Sequence, residues 1–301
     1  MERLSARLIN KQVNEHRRWL PERGSEVRDA TLESIEHALA DPSTNGLALL
    51  SNALSNLGLF HGTRGVIDLV DGKDYGWSDI AGAIECYVWC ARLDIRAHYA
   101  RSAADRSARI SNLRHTLTPA VVLLAYFVAT DARQREQSLW SLLQRPIVDP
   151  HPRMRQWWSE RHFEPFFVSL YAKARSHTLP LDLTTGKLHV YRQVLDAWDD
   201  DAKLAKAMEN ACDYHCRRMQ HTRKWTAEFN RTPLDLLPLE VFAMNSLRTA
   251  MGKPAVEVKH PLMERIGPIG LATPPQELMD TLYHVLLRHD EVQGAKLARS
   301  A

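Results

Sequence analysis

The chain has 301 residues, of which 45% are hydrophobic, enough to fill the core of one large domain or two modest ones. Charged residues make up 25%, and a net charge of +3 is small for this length, which argues against a general nucleic-acid or acidic-lipid binder. The N-terminal segment has scattered charges and lacks the apolar stretch of a secretory signal. The longest apolar run, residues 119–130, is far shorter than the roughly 20 residues of a membrane-spanning helix.

These features predict a protein that stays in the cytoplasm and has no membrane segment. The four cysteines agree with that location, because they form two pairs with i,i+4 spacing inside helix-like segments, Cys86 with Cys90 and Cys212 with Cys216. Such spacing fits reduced thiols in a reducing compartment better than a framework of disulfide bonds.

Apolar residues recur at helical spacing along nearly the whole chain, whereas two-residue alternation is almost absent. The sequence therefore predicts an all-α fold, an irregular array of packed helical hairpins. A very short strand pair is compatible with it, since residues 66–70 and the segment Val256-Glu257-Val258 are strand-like. There is no internal repeat of fixed period, which makes a strict solenoid improbable.

The first half of the chain contains four predicted helices. The best of them runs from Ile80 to Tyr99, with Ser78 placed to accept the free N–H groups at its start. A loop over residues 62–76 precedes it. The other three predicted helices cover residues 4–19, 27–40 and 44–60, and they end at Pro21, at Asp41-Pro42 and at the loop that begins with His61-Gly62.

The second half continues the helical pattern after a proline-rich break. Two helices from Pro119 to about Gln144 lead into residues 145–154, RPIVDPHPRM, which separate subdomains at 1–145 and 150–301. The two subdomains could also pack as one continuous domain. Further predicted helices cover residues 156–176, a hairpin of 188–198 against 202–219, and a last helix from Pro275 to His289.

The predicted hairpin carries two apolar stripes that should pack against each other. One stripe consists of Leu188, Tyr191, Leu195 and Trp198, and the other of Leu204, Met208, Cys212, His215 and Met219. Cys212, His215 and Cys216 share a helical face near His221, so a zinc site is conceivable. A single helix would supply nearly all of its ligands, and we therefore interpret the stripe as core with a hydrogen-bonded histidine, without metal or cofactor.

The adjacent pair His289-Asp290 invites comparison with helical metal-dependent phosphohydrolases. Those sites need several ligands that converge on one cavity, and no earlier motif plainly supplies them. We interpret the pair as a solvated helix end with a histidine near the negative terminus. A Gly-rich phosphate loop and a Gly-x-Ser-x-Gly elbow are also missing, so the sequence favours a non-enzyme.

Four aspartates surround Trp198 at the tip of the predicted hairpin, namely Asp196, Asp199, Asp200 and Asp201. In one interpretation, one aspartate caps the second helix and the others favour its positive end. In the other, the carboxylates contact the basic cleft of a partner enzyme that binds nucleic acid or nucleotide phosphates.

Tryptophans provide further candidates for partner contact. Trp157 and Trp158 are neighbours on a predicted helix and should not both face the same core, and Trp is a frequent binding hot spot. Asp74 and Trp77 lie in or beside the loop over residues 62–76. Trp158 or Trp77 could instead roof the core.

The closing part of the helical region has a specific order of elements. Residues 238–265, PLEVFAMNSLRTAMGKPAVEVKHPLMER, take an apolar helix into a Gly-Lys-Pro stop, a strand-like Val-Glu-Val and then His-Pro-Leu. Upstream, residues 205–225, AKAMENACDYHCRRMQHTRKW, form a helix with a basic and aromatic tail. This combination resembles the immunity protein 49 family, small helical antidotes encoded beside polymorphic bacterial toxins. The resemblance covers the last third of the chain well and the remainder in helix order.

The resemblance implies an immunity protein that binds a cognate toxin domain in the cytoplasm and occludes its active site. Such an interface would bury roughly 1,600 Å² in total and involve neither nucleic acid nor membrane directly. Two other functions stay open: a helical-repeat scaffold for another protein, and the metal-dependent phosphohydrolase. Neutralisation by enzymatic reversal of the toxin's modification is a further alternative.

Overall fold

The computed structural model describes residues 2–40, 44–101, 103–180, 182–220, 227–285 and 287. It is 76% helical, which confirms the predicted all-α fold. None of the described residues forms a β-strand, so the strand pair allowed by the sequence is not found: residues 66–70 are helical, and residues 256–258 are irregular. None of the described helices combines the length and apolar character needed to cross a bilayer.

Twelve α-helices make up most of the described chain, and residues 276–285 form a further helical segment at the end that was predicted from Pro275. The helices are α1 (Glu2–Trp19), α2 (Ser25–Ala40), α3 (Thr44–Val70), α4 (Gly76–Tyr99), α5 (Ala103–Ala129), α6 (Arg133–Val148), α7 (Pro152–Glu160), α8 (Phe163–Ala174), α9 (Val190–Asp196), α10 (Asp201–Arg218), α11 (Leu239–Ala250) and α12 (Pro261–Ile266).

Several predicted helix ends differ from the structure. Pro21 does not separate α1 from α2 by a loop, because a π-helical turn at Leu20–Gly24 absorbs the proline and leads directly into α2. Helix α3 continues through His61-Gly62 to Val70. Ser78 is not a cap but lies inside α4, where its hydroxyl donates to the carbonyl oxygen of Thr273 at 2.7 Å.

The single helix predicted over residues 156–176 is two helices, α7 and α8. Arg161 adopts an extended backbone conformation at the end of α7 and interrupts the helical dihedrals. Its side chain then pairs with Glu164 in the first turn of α8 at 2.7 Å. A charged side chain thus fixes a corner that hydrophobic periodicity does not reveal.

The described residues group into two compact units. The larger unit comprises residues up to Gln12 and Arg101–Ile269, and the smaller unit comprises Val13–Ala100 and residues from Gly270 onward. The proline-rich segment where the sequence predicts a boundary between 1–145 and 150–301 lies within the larger unit. It is tied to its neighbours there, because Trp158 donates to the carbonyl oxygen of Pro146 at 3.3 Å.

The smaller unit is built on the long hairpin of α3 and α4. Its core cluster joins apolar side chains of α2, α3 and α4 with Leu278, Leu282 and Val285. The two hairpin helices approach backbone to backbone at Gly65, where an added Cβ would lie 2.6 Å from the carbonyl oxygen of Gly76. This close contact explains why position 65 is a glycine although it lies inside α3 and not in the loop predicted over residues 62–76.

The larger unit surrounds α5, in which residues 120–128 are all buried. Helices α6, α8 and α11 pack against it, and α9 packs against α10. The second predicted apolar stripe is confirmed in full: Leu204, Met208, Cys212, His215 and Met219 are all buried. The hairpin of α9 and α10 therefore forms as the sequence predicts, and it presents its tip at residues 196–201.

Candidate functional site

The tip of the hairpin is shaped by the start of α10. Asp200 is the N-cap residue of α10, and its carboxylate accepts from the backbone N–H of Lys203 at 3.1 Å and from its ammonium at 2.8 Å. Asp201 opens the helix, where a negative charge favours the positive end of the helix dipole. The interpretation that one aspartate caps the helix and the others favour its positive end is thus supported for Asp200 and Asp201.

A buried arginine on α11 fixes the backbone of the tip. Arg248 is only 1% exposed, and its guanidinium lies over the ring of Trp198, 5.3 Å from the ring centroid. It donates to the carbonyl oxygens of Trp198 and Pro254, at 2.5 and 2.9 Å, and to the carboxylate of Asp201. Three partners on one planar group leave the backbone of the tip little freedom.

Two carboxylates of the tip point to solvent. The side chain of Asp199 is 82% exposed and pairs with the ammonium of Lys253, and the hydrogen bond from Lys253 holds the pKa of Asp199 below its ordinary value. Asp196 is exposed and forms no ion pair with any residue in the described ranges. Lys203, Arg248 and Lys253 accompany the four aspartates, so the tip alternates both signs of charge instead of forming a bare acidic patch.

The paired tryptophans do not lie at the surface. Trp157 and Trp158 are 6% and 4% exposed, and their rings meet edge to face at a centroid distance of 4.8 Å. Both can be buried because α7 packs against α5 and against α8, so that two of its sides are covered, and the predicted role of the pair in partner contact is not supported. Their indoles belong to the core.

The remaining predicted candidates lie in the smaller unit. Asp74 is exposed in the turn between α3 and α4, and its carbonyl oxygen accepts from the backbone N–H of Trp77 at 3.2 Å. Trp77 is 9% exposed and packs so closely on Gly270 that an added Cβ there would lie 2.5 Å from the indole. Trp77 thus roofs the core, while Asp74 is available to solvent.

The cysteine and histidine stripe of α10 is core, as we interpreted it. His215 is fully buried between the carboxylate of Glu240, at 2.9 Å, and the carbonyl oxygen of Asp235, at 2.8 Å. Burial opposes protonation, but the Glu240 carboxylate outweighs it and raises the pKa of His215. Burial raises the pKa of Cys216 to about 12 and also raises that of Cys212.

The described residues contain no group of three His, Cys, Asp or Glu side chains that could hold a metal ion. His221, and the pair His289-Asp290 on which the phosphohydrolase interpretation depends, lie outside the described residues.

Sequence reasoning missed the two cations that organise the tip, Arg248 and Lys253. A signal for Arg248 existed: with Val241 and Met244 it lies on one face of α11, and an arginine on an apolar stripe indicates a buried partner. Lys253 belongs to the Gly-Lys-Pro stop after α11 and gave no comparable signal. The tip is therefore a joint product of the α9–α10 hairpin and the end of α11.

No family model matches the chain, and the searches of curated proteins and of solved structures find no match either. The functional argument therefore depends on the arrangement of residues at the tip.

Proposed function

We propose that this chain is a bacterial immunity protein that neutralises a cognate toxin by binding it directly and occluding its active site. The resemblance of residues 238–265 to the immunity protein 49 family implies that function. The observation that carries it to a surface is the α9–α10 tip, where a fully buried Arg248 fixes a backbone whose aspartates at 196 and 199 are exposed. The partner is a toxin domain that acts in the cytoplasm.

A fixed tip suits a protein that must hold its partner tightly. Binding costs less conformational entropy when the contacting loop is already ordered, and that saving appears directly as affinity. The bonds from Arg248 to the carbonyl oxygens of Trp198 and Pro254 provide this order without using Asp196 or Asp199. Both carboxylates are therefore available to a partner while the backbone stays in place.

The charges of the tip favour a partner that presents cations. The ion pair between Asp199 and Lys253 is exposed, and exposed pairs contribute little to stability. An arginine or lysine of a toxin could replace Lys253 at small cost and pair with Asp196 as well. Complementary charges of this kind accelerate encounter and fix the register of a complex.

The test is co-expression with the toxin domain encoded directly upstream of the gene. We expect loss of toxicity and a one-to-one complex that survives size-exclusion chromatography at nanomolar concentration. Failure of both would overturn the antidote function and leave the scaffold function as the better account.

Charge reversal tests the surface separately from the function. We expect Asp196→Lys and Asp199→Lys each to weaken the complex at least tenfold, chiefly at low ionic strength, where exposed charges act most strongly. The control is Glu160→Lys, an exposed carboxylate on α7 whose only described bond is to Gln156. A complex that tolerates both reversals as well as the control would show that the toxin contacts another surface.

A further inference from the structure

Two histidines meet near the base of the α9–α10 hairpin, apart from the tip. His162 is the N-cap residue of α8, and His189 is the N-cap residue of α9. Their ring centroids lie 5.6 Å apart with an angle of 36° between the planes. The ring of Tyr214 packs against both, at centroid distances of 5.9 and 5.1 Å. His162 is half-buried and His189 is exposed, so solvent reaches the pair.

The hydrogen bond of His162 determines which of its nitrogens is available. Its Nδ1 bonds to the carbonyl oxygen of Lys187. A carbonyl oxygen only accepts, so Nδ1 carries the proton in the neutral ring and Nε2 keeps its lone pair. Histidines that bind metal ions usually donate their other ring N–H to a carbonyl or a carboxylate, which fixes tautomer and orientation. The bond to the carbonyl oxygen of Lys187 holds His162 in that way.

His189 has an unusual backbone and an unused side chain. Its φ of 49° and ψ of −124° place a non-glycine residue in a region that L side chains rarely adopt. Its imidazole makes no hydrogen bond to any residue within the described ranges. The strained backbone nevertheless holds this ring beside His162, on the same side of Tyr214.

The separation of the ring centroids, 5.6 Å, is close to the separation expected for two rings that share an ion. With metal–nitrogen bonds of about 2.0 to 2.1 Å, two imidazoles on a tetrahedral ion have ring centroids roughly 5 to 5.5 Å apart. We propose that His162 and His189 form a two-imidazole site for a divalent transition metal, with water in the remaining positions. The affinity order should follow the general one for nitrogen ligands, with Cu²⁺ above Ni²⁺ and Zn²⁺.

The electrostatic surroundings limit the affinity and favour the neutral rings. Burial is the largest cause that lowers the pKa of both histidines, the charge of Arg218 lowers both as well, and the charge of His162 lowers the pKa of His189. The guanidinium of Arg218 lies 5.0 Å from the centroid of the Tyr214 ring and repels a dication, whereas the carboxylate of Glu164, which acts on His162, attracts it. The ion should bind more weakly than in a site with three or four protein ligands.

The test is calorimetric titration of the full chain with CuCl₂, NiCl₂ and ZnCl₂ in a buffer that does not bind metals. We expect one site of higher affinity than any other in the chain, tightest for Cu²⁺, and a loss of affinity of at least tenfold in His162→Phe and in His189→Asn. Phenylalanine keeps the ring contact with Tyr214, and asparagine tolerates positive φ, so both variants should fold. The double variant should bind no more weakly than the weaker single variant.

His177→Ala is the matched control, since His177 is an exposed histidine whose ring stacks on Trp140 at 5.0 Å and does not meet the pair. It should keep the affinity of the unmodified chain. Absence of such a site for all three ions would overturn the proposal. So would Cu²⁺ binding that both variants leave unchanged, since that result would place the ion on other histidines.

Discussion

Buried charged groups join helices in both units, as Glu240 of α11 does with His215 of α10, but in the larger unit they also bond to the backbone of loops. In the smaller unit the buried Asp79 of α4 accepts hydrogen bonds from His61 and Arg64 of α3, so the charges join one helix to its neighbour. In the larger unit Arg248 and His215 donate to carbonyl oxygens of non-helical segments, at Pro254 and Asp235. Charge pairs such as that of Asp79 with α3 align helices. Bonds such as those from Arg248 and His215 satisfy backbone carbonyl oxygens in loops.

The reason for the difference lies in the connections. A short turn joins α3 to α4, and helices satisfy nearly all of their own backbone groups. The larger unit contains long segments outside its helices, such as residues 227–238 and 253–260, and buried N–H and C=O groups there need partners. Side chains supply them. Loop-rich regions of a helical protein therefore depend on a few polar side chains, and helical hairpins depend on close packing.

Among the substitutions that test this comparison, those at Arg248 should change the free energy of unfolding most. Replacement by methionine leaves the carbonyl oxygens of Trp198 and Pro254 without their charged donor, and hydrogen bonds of this kind contribute about 1.5 to 3 kcal/mol each. We expect Arg248→Met to lower the free energy of unfolding in urea by about 3 to 5 kcal/mol. The stability of Arg248→Lys should lie between those of the unmodified chain and of Arg248→Met, because an ammonium cannot reach all three partners. A loss of stability below about 1 kcal/mol would contradict the view that Arg248 holds the backbone of the tip in place.

The next effect concerns pH and Glu228, a buried carboxyl that accepts from the hydroxyl of Tyr214 at 2.5 Å. Burial and then the charge of Glu164 raise the pKa of Glu228 to about 7. The folded state therefore holds this proton more tightly than the unfolded chain. The contribution of Glu228 to stability decreases by roughly 3 kcal/mol as the pH rises from about 4.5 to about 7.

Glu228→Gln should abolish this dependence, because the amide stays neutral. The difference in unfolding free energy between variant and unmodified chain should shift in favour of the variant by roughly 3 kcal/mol between pH 4.5 and 8, measured by urea unfolding. Glu160→Gln, at an exposed carboxyl, should run parallel to the unmodified chain throughout. Parallel curves for Glu228→Gln as well would mean that this carboxyl is ionised in the folded protein across the range.

The smallest effect tests packing in the smaller unit. A methyl group at Gly65 would meet the backbone oxygen of Gly76 at 2.6 Å, whereas one at Gly58 would meet a side chain, the ring of Tyr87, at 2.7 Å. Both glycines lie in α3, so the gain in helix propensity is the same. We expect Gly65→Ala to be about 1 to 3 kcal/mol less stable than Gly58→Ala. Equal stabilities by thermal unfolding would argue that the two helices can separate without loss.

Much of the fold follows from apolar periodicity. The pattern at Leu204, Met208 and Cys212 predicts a stripe that the structure buries, and the pairing of α9 with α10 follows from it. Periodicity fails where helix ends depend on particular contacts. Neither the passage of α3 through His61-Gly62 nor the corner at Arg161 is visible locally, since the first depends on the approach to Gly76 and the second on Glu164.

The candidate site was predictable only in part. The capping role of an aspartate at the tip follows from its position before α10, and Asp200 performs it. The partners of Asp199 and Asp201 could not be inferred, because Lys253 and Arg248 are about fifty positions away and meet them only in the folded chain. The burial of both Trp157 and Trp158 could not be inferred from the sequence for a similar reason, because it depends on the helices that pack on two sides of α7.

Arg248 fixes the backbone of the tip through bonds that do not depend on the exposed side chains there. The bonds that set the backbone run to main-chain oxygens of Trp198 and Pro254, and these oxygens are present whatever side chains the neighbouring positions carry. Positions 196 and 199 can therefore be exchanged without altering the frame that displays them. An antidote that had to follow a changing toxin could revise its contacts there one residue at a time and keep its fold throughout.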